Sequence, residues 1–189
     1  MKSLNKIYIG LVMLGITVIT HGQNLNSNWN SELTTSLQHF IDCKSKSDEN
    51  AECAKYIAES LQTVYKVNDF YSSRLGRYLM VAEIAKFLNE TNQWTMLGHG
   101  YEQKALADAQ NNANAKKAVI AVYMNETGSG HVALILPGDL QPSGSWGLNV
   151  PNSASFLLME PQRSYVGKGL SYAFAKNHLK DVVLYARNY

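Results

Sequence analysis

The chain has 189 residues, 46% of them hydrophobic and 17% charged, with 17 Lys and Arg against 15 Asp and Glu. Two of the basic residues, Lys2 and Lys6, fall within the first 22 positions, and without them the count is 15 to 15; with no Lys/Arg run either, a nucleic-acid partner is disfavoured. The 167 residues that remain suit one domain with a full core, so the only two cysteines, Cys43 and Cys53, permit a disulfide without demanding one.

At the N-terminus, Lys2 and Lys6 precede the apolar run IYIGLVMLGITVIT, which ends in the small-residue triplet Thr20-His21-Gly22. This is the pattern of a secretory signal peptide. The run is too short for a comfortable membrane span, and no later stretch is apolar for long enough to make one. The expectation is therefore an exported protein, periplasmic or extracellular, without stable membrane insertion, whose single domain covers residues 23–189 and opens on a loose polar leader at 23–30.

Leu33, Leu37, Phe40 and Ile41 then recur at helical spacing, with Ser31 as a cap. A polar stretch, KSKSDEN, separates this helix from a second one carrying Cys53, Tyr56, Ile57, Leu61 and Val64. A third helix is read over residues 69–90 with Asp69 as its cap, and a shorter one over ALADAQNNANAKK. Past residue 117 the period changes. AVIAVYM and HVALILP, joined by the turn-rich NETGSG, make a β-hairpin; SASFLLME and DVVLYAR supply two more strands, GSWGLNV a short one, and SYVGKGLSYAF an irregular or partly stranded connection. Helices first and an antiparallel sheet second is an α+β layout.

The chemistry centres on Cys53, at the first turn of its helix, where unpaired N–H groups and the helix dipole favour thiolate over thiol. A thiol nucleophile needs a base. Of His39, His99, His131 and His178, only His131 has a structured setting: it follows Gly128-Ser129-Gly130 and opens the strand HVALILP, sharing a face with Ala133 and Ile135. If the helix bearing Cys53 packs on that face, sulfur and imidazole meet. Trp146, flanked by glycines in SGSWGLN, and Tyr56, one turn after Cys53, are candidate substrate-binding aromatics, although helical spacing also places Tyr56 in the core and Trp146 could simply cap the sheet. No His-x-x-x-His, Cys-x-x-Cys or Gly-x-Ser-x-Gly pattern occurs, so metal and serine hydrolase chemistry have little support.

CAKYI at a helix start, followed by an apolar strand and GHVALILPG, resembles the NlpC-type and CHAP-type peptidoglycan hydrolases, papain-like cysteine amidases of bacterial cell-wall metabolism. The resemblance runs from about residue 47 to the end. It implies a papain-like fold, N-terminal helices on a C-terminal antiparallel sheet, and hydrolysis of amide bonds in peptidoglycan peptide stems without a cofactor. It also implies Cys53 as nucleophile, His131 as base, and a polar residue on the next strand to orient the imidazole. Asn152 occupies that place, with Ser153, Asn149 and Glu160 as competitors. Two alternatives stand beside this reading. One is a non-catalytic exported binding module in which Cys43 and Cys53 close a disulfide; the other is a papain-like protease acting on proteins.

Overall fold

In a computed structural model of the protein, residues 25–46 and 50–189 are described. The signal peptide read over residues 1–22 and the middle of the polar stretch after the first helix lie outside them. The chain runs α1 (Trp29–Lys46), α2 (Asn50–Tyr65), β1 (Tyr71–Ser72), β2 (Arg77–Tyr78), α3 (Val81–Glu90), β3 (Trp94–His99), α4 (Gln103–Asn114), β4 (Val119–Met124), β5 (Gly130–Ile135), β6 (Gln141–Ser143), β7 (Leu148–Val150), β8 (Asn152–Ser155), β9 (Tyr165–Gly169) and β10 (Val182–Arg187). Strands β3, β10, β4, β5, β8 and β9 lie side by side in that order as one six-stranded sheet, every neighbouring pair antiparallel.

The sheet has helices on both faces, because its central strands are apolar on both. Ile120, Val122, Val132, Leu134 and Leu136 point to one side, where they join Leu33 and Phe40 of α1, Ile57 and Leu61 of α2, and Ile84 and Leu88 of α3 in one buried cluster. Val119, Ala121, Ala133 and Ile135 point to the other, against Ala105, Leu106, Ala109 and Ala113 of α4 and against Leu170, Phe174 and Leu179. Alternation along β4 and β5 thus sorts the core into two halves. The α+β layout holds, but α4 lies on the face away from the first three helices, and β3 enters the sheet before it.

Three local expectations are corrected. The end of the leader is tied down: Leu25 packs on the core, and buried Asn26 donates from its backbone to Val64 and from its side chain to Glu32 and the Thr63 carbonyl. The helix consequently starts at Trp29, and Ser31, inside it, donates to the Asn28 carbonyl rather than capping. The helix read over 69–90 begins only at Val81, because Tyr71 and Tyr78 pair in a small hairpin whose turn places Gly76 at φ +65°, a conformation that breaks a helix. Asp69, freed from capping, instead takes the Arg187 guanidinium at 2.7 Å and the Trp94 indole N–H at 3.0 Å, fastening β10 and β3 to the loop after α2.

Candidate functional site

Cys53 is the fourth residue of α2 and is bonded to Cys43 on α1, the two Cα atoms 5.9 Å apart. That separation is ordinary for a disulfide. Cys53 has 0% exposure, and neither cysteine is free. The sulfur that the sequence offers as a nucleophile therefore serves as a staple between two helices, enclosed beside Phe40 and Ile57 in the core half that carries Val132 and Leu134.

His131 opens β5 one residue out of step with that half. Residues 131, 133 and 135 share one face of the strand, and Ala133 and Ile135 belong to the half covered by α4. The imidazole accordingly meets Phe174 edge-on at 5.4 Å and bonds through Nε2 to Ser155 Oγ at 2.6 Å. Cys53 and His131 stand on opposite sides of the sheet. The expectation failed at one step: the face shared with Ala133 and Ile135 does pack on a helix, but the helix is α4, not α2.

Asn152 does not orient His131. Its side chain donates to the Pro137 carbonyl at 2.9 Å and accepts from Gln141 at 3.3 Å, and its backbone N–H donates to Gln110 at 2.8 Å, all at the far end of β5. The partner of the imidazole is Ser155. It lies opposite Ala133 in the β5–β8 register, which makes it a diagonal neighbour of His131 on the same face. The sequence contains that signal in NSASF, but only a known register converts it into a contact. Of the competitors, Ser153 bonds Tyr165 and the Lys168 carbonyl, Asn149 uses its backbone to hold Gln103, and Glu160 pairs with Arg163.

The two aromatic candidates also fall elsewhere. Trp146 is 5% exposed and donates its indole N–H to the Phe174 carbonyl at 3.2 Å, so it is a core residue and not a platform. Tyr56 is half-buried, edge-on to Phe40 at 6.2 Å, and lines a polar groove between α1 and α2 on the side of the sheet away from His131. His99 has a structured setting as well: it ends β3, half-buried, and stacks on Tyr101.

What the fold does build around His131 is a cleft of about 460 Å³. One wall is the 172–175 segment with Tyr172 and Phe174, another the 157–163 segment with Met159 and the Glu160–Arg163 ion pair, and Asn125 and Ser129 of the β4–β5 turn close an end. His178 also lines it, lying flat on Tyr123 with ring centroids 4.3 Å apart and interplanar angle 7°. The size falls in the range of small-ligand sites, and the lining mixes ring faces with a few convergent polar groups. Burial pushes the His131 imidazole down from its usual 6.5 to about 4, so it is neutral at physiological pH. Its Nδ1 has no hydrogen bond to any described residue, and the residue lines the cleft. Ser155 is 0% exposed, which denies a substrate access to its hydroxyl. Among the described residues, no group of His, Cys, Asp and Glu could hold a metal ion.

No protein-family model matches the chain, and no curated protein sequence matches it either. The site has to be read from its own chemistry. Among the described residues, no helix is long and apolar enough to cross a membrane.

Proposed function

We propose that this chain is an exported, disulfide-bridged binding module whose ligand seats in the His131 cleft. One observation carries the reading: the Cys53 sulfur is bonded to Cys43, fully buried, and on the opposite face of the sheet from His131. A thiolate that does not exist and an imidazole that cannot reach it make no catalytic pair. The ligand class follows from the resemblance to wall hydrolases together with the lining of the cleft. A peptidoglycan peptide stem presents carboxylates and amides along a short chain. Arg163 and His178 meet the carboxylates, Asn125, Ser129 and His131 meet the amides, and Tyr172 and Phe174 cover the aliphatic parts. The α+β layout is compatible with a papain-like fold, and residues 1–22 supply the export signal.

The test combines a thiol count with a muropeptide incubation. The native mature protein, denatured without reductant, should show no titratable thiol and should show two after reduction; muropeptides should be retained on immobilised protein without any new product by mass. Two titratable thiols without reductant, together with released fragments, would overturn the proposal.

A second reading, a cysteine amidohydrolase cleaving the same stems, draws on a specific observation: a neutral imidazole fixed by a hydroxyl at 2.6 Å within a cleft, as a general base would be. It requires the disulfide to be reduced and α2 to meet the other face of β5. Activity that appears only after reduction, and vanishes in Cys53→Ala, would establish it.

A further inference from the structure

The end of β5 away from His131 opens on a second cleft, of about 550 Å³, that shares no residue with the first. His131 lies near the start of β5 and Pro137 two residues past its end at Ile135, so the two clefts are separated along the strand by about 20 Å at the usual rise per residue. Its lining is unlike that of the His131 cleft. Trp29, at the start of α1, packs part of its ring on the core and leaves the rest open, and Asn30, Asp139, Gln141 and Asn152 gather around it. Among the described residues, neither lysine nor arginine lines it.

Several of these polar groups are unspent. The Asp139 carboxylate and the Asn30 amide make no hydrogen bond or ion pair with any described residue, and the Trp29 indole N–H makes none either. Gln141 uses its amide nitrogen on Asn152 and keeps its carbonyl oxygen. Asn152, which does not serve His131, is locked in place here by Pro137, and the tight approach of Gly138 permits it: a Cβ on Gly138 would stand 2.9 Å from Asn152 Nδ2. The floor of this cleft is thus rigid and its rim carries free acceptors and donors.

We propose that this second cleft binds an uncharged pyranose sugar. A half-open indole offers a flat apolar face to the C–H side of a sugar ring. A lone carboxylate accepts two hydroxyls at once, and neighbouring side-chain amides both donate and accept. Anionic ligands are turned away by Asp139 in the absence of a lining cation, and one carboxylate among neutral groups is too little for a metal ion. The inference stands independently of the His131 cleft.

The test uses intrinsic fluorescence, because the chain has three tryptophans and the other two, Trp94 and Trp146, are 4% and 5% exposed. Only Trp29 can report directly on a surface ligand. Titrating the mature protein with N,N′,N″-triacetylchitotriose and, separately, maltotriose should give a saturable blue shift with at least one of them in the millimolar range or tighter. Calorimetry on Asp139→Asn and Trp29→Ala should show affinity for that sugar falling by about tenfold or more, the scale of a lost charged hydrogen bond. Lys86→Ala, on the exposed face of α3, should bind as the parent does. Because Asp139 is exposed, its variant should melt with the parent, which separates lost binding from lost folding. No saturable response to either sugar, or a response that survives both Asp139→Asn and Trp29→Ala, would overturn the proposal.

Discussion

His131 and Ser155 form the contact on which the first cleft rests, and burial sets its pH behaviour. The imidazole titrates near 6.5 when the chain is unfolded and near 4 when it is folded, so protons favour the unfolded chain in between. The stability it contributes is fully present above 6.5 and is lost as pH falls from 6.5 toward 4. Thermal melts across that window should show the loss, and His131→Asn, neutral throughout, should flatten the slope. Ser155→Ala leaves the buried Nε2 without its partner and should cost about 1–3 kcal/mol in a denaturant titration. It should also weaken retention of muropeptides, since the ring loses its orientation.

Between elements, two ties add to the packing: a disulfide between α1 and α2, and an ion pair from the loop after α2 to β10. The Cys43–Cys53 bridge joins α1 to α2 across ten residues of sequence, and closing a loop of that length is worth about 3 kcal/mol in the chain-entropy account. Cys43→Ser with Cys53→Ser should lower the unfolding free energy by that amount, with a lower denaturant midpoint and a slightly larger m-value, since the unfolded chain is no longer cross-linked. The other tie is Asp69, only 12% exposed at its side chain, which holds Arg187 of β10 and the indole of Trp94 on β3. Asp69→Ala strands a guanidinium and an indole N–H in a half-buried place, so a loss of about 2–4 kcal/mol is expected, larger than any exposed ion pair would give. Hydrogen exchange should locate the added opening at β3 and β10.

For the whole molecule, the two clefts at opposite ends of β5 should behave as separate sites: saturating the sugar cleft should leave retention of a sugar-free stem peptide unchanged, which a competition experiment on immobilised protein would measure. The mature protein recovered from the medium or periplasm should begin near Gln23 by mass. Much of this organisation is legible in the sequence. Helical spacing gave α1, α2 and α4, and the change of period past residue 117 gave β4, β5, β8 and β10, because each of those signals is local, set by which side chains must leave water. What depended on partners distant in the chain was not legible. Strand β3 is held by its pairing with β10, far along the chain, whereas the short hairpin at 71–78 pairs only within itself and its apolar spacing imitates a helix. The site followed the same division. The sequence by itself determined that Cys53 lies in the first turn of a helix and that His131 lies near the start of a strand on the face of Ala133 and Ile135. Only the tertiary structure decided that α4 covers that face, that α2 covers the other, and that Cys43 comes within bonding distance of Cys53. The reason is parity: neighbouring residues of a strand point to opposite sides, so the sequence gives each residue's side relative to its neighbours but not which helix comes to lie there.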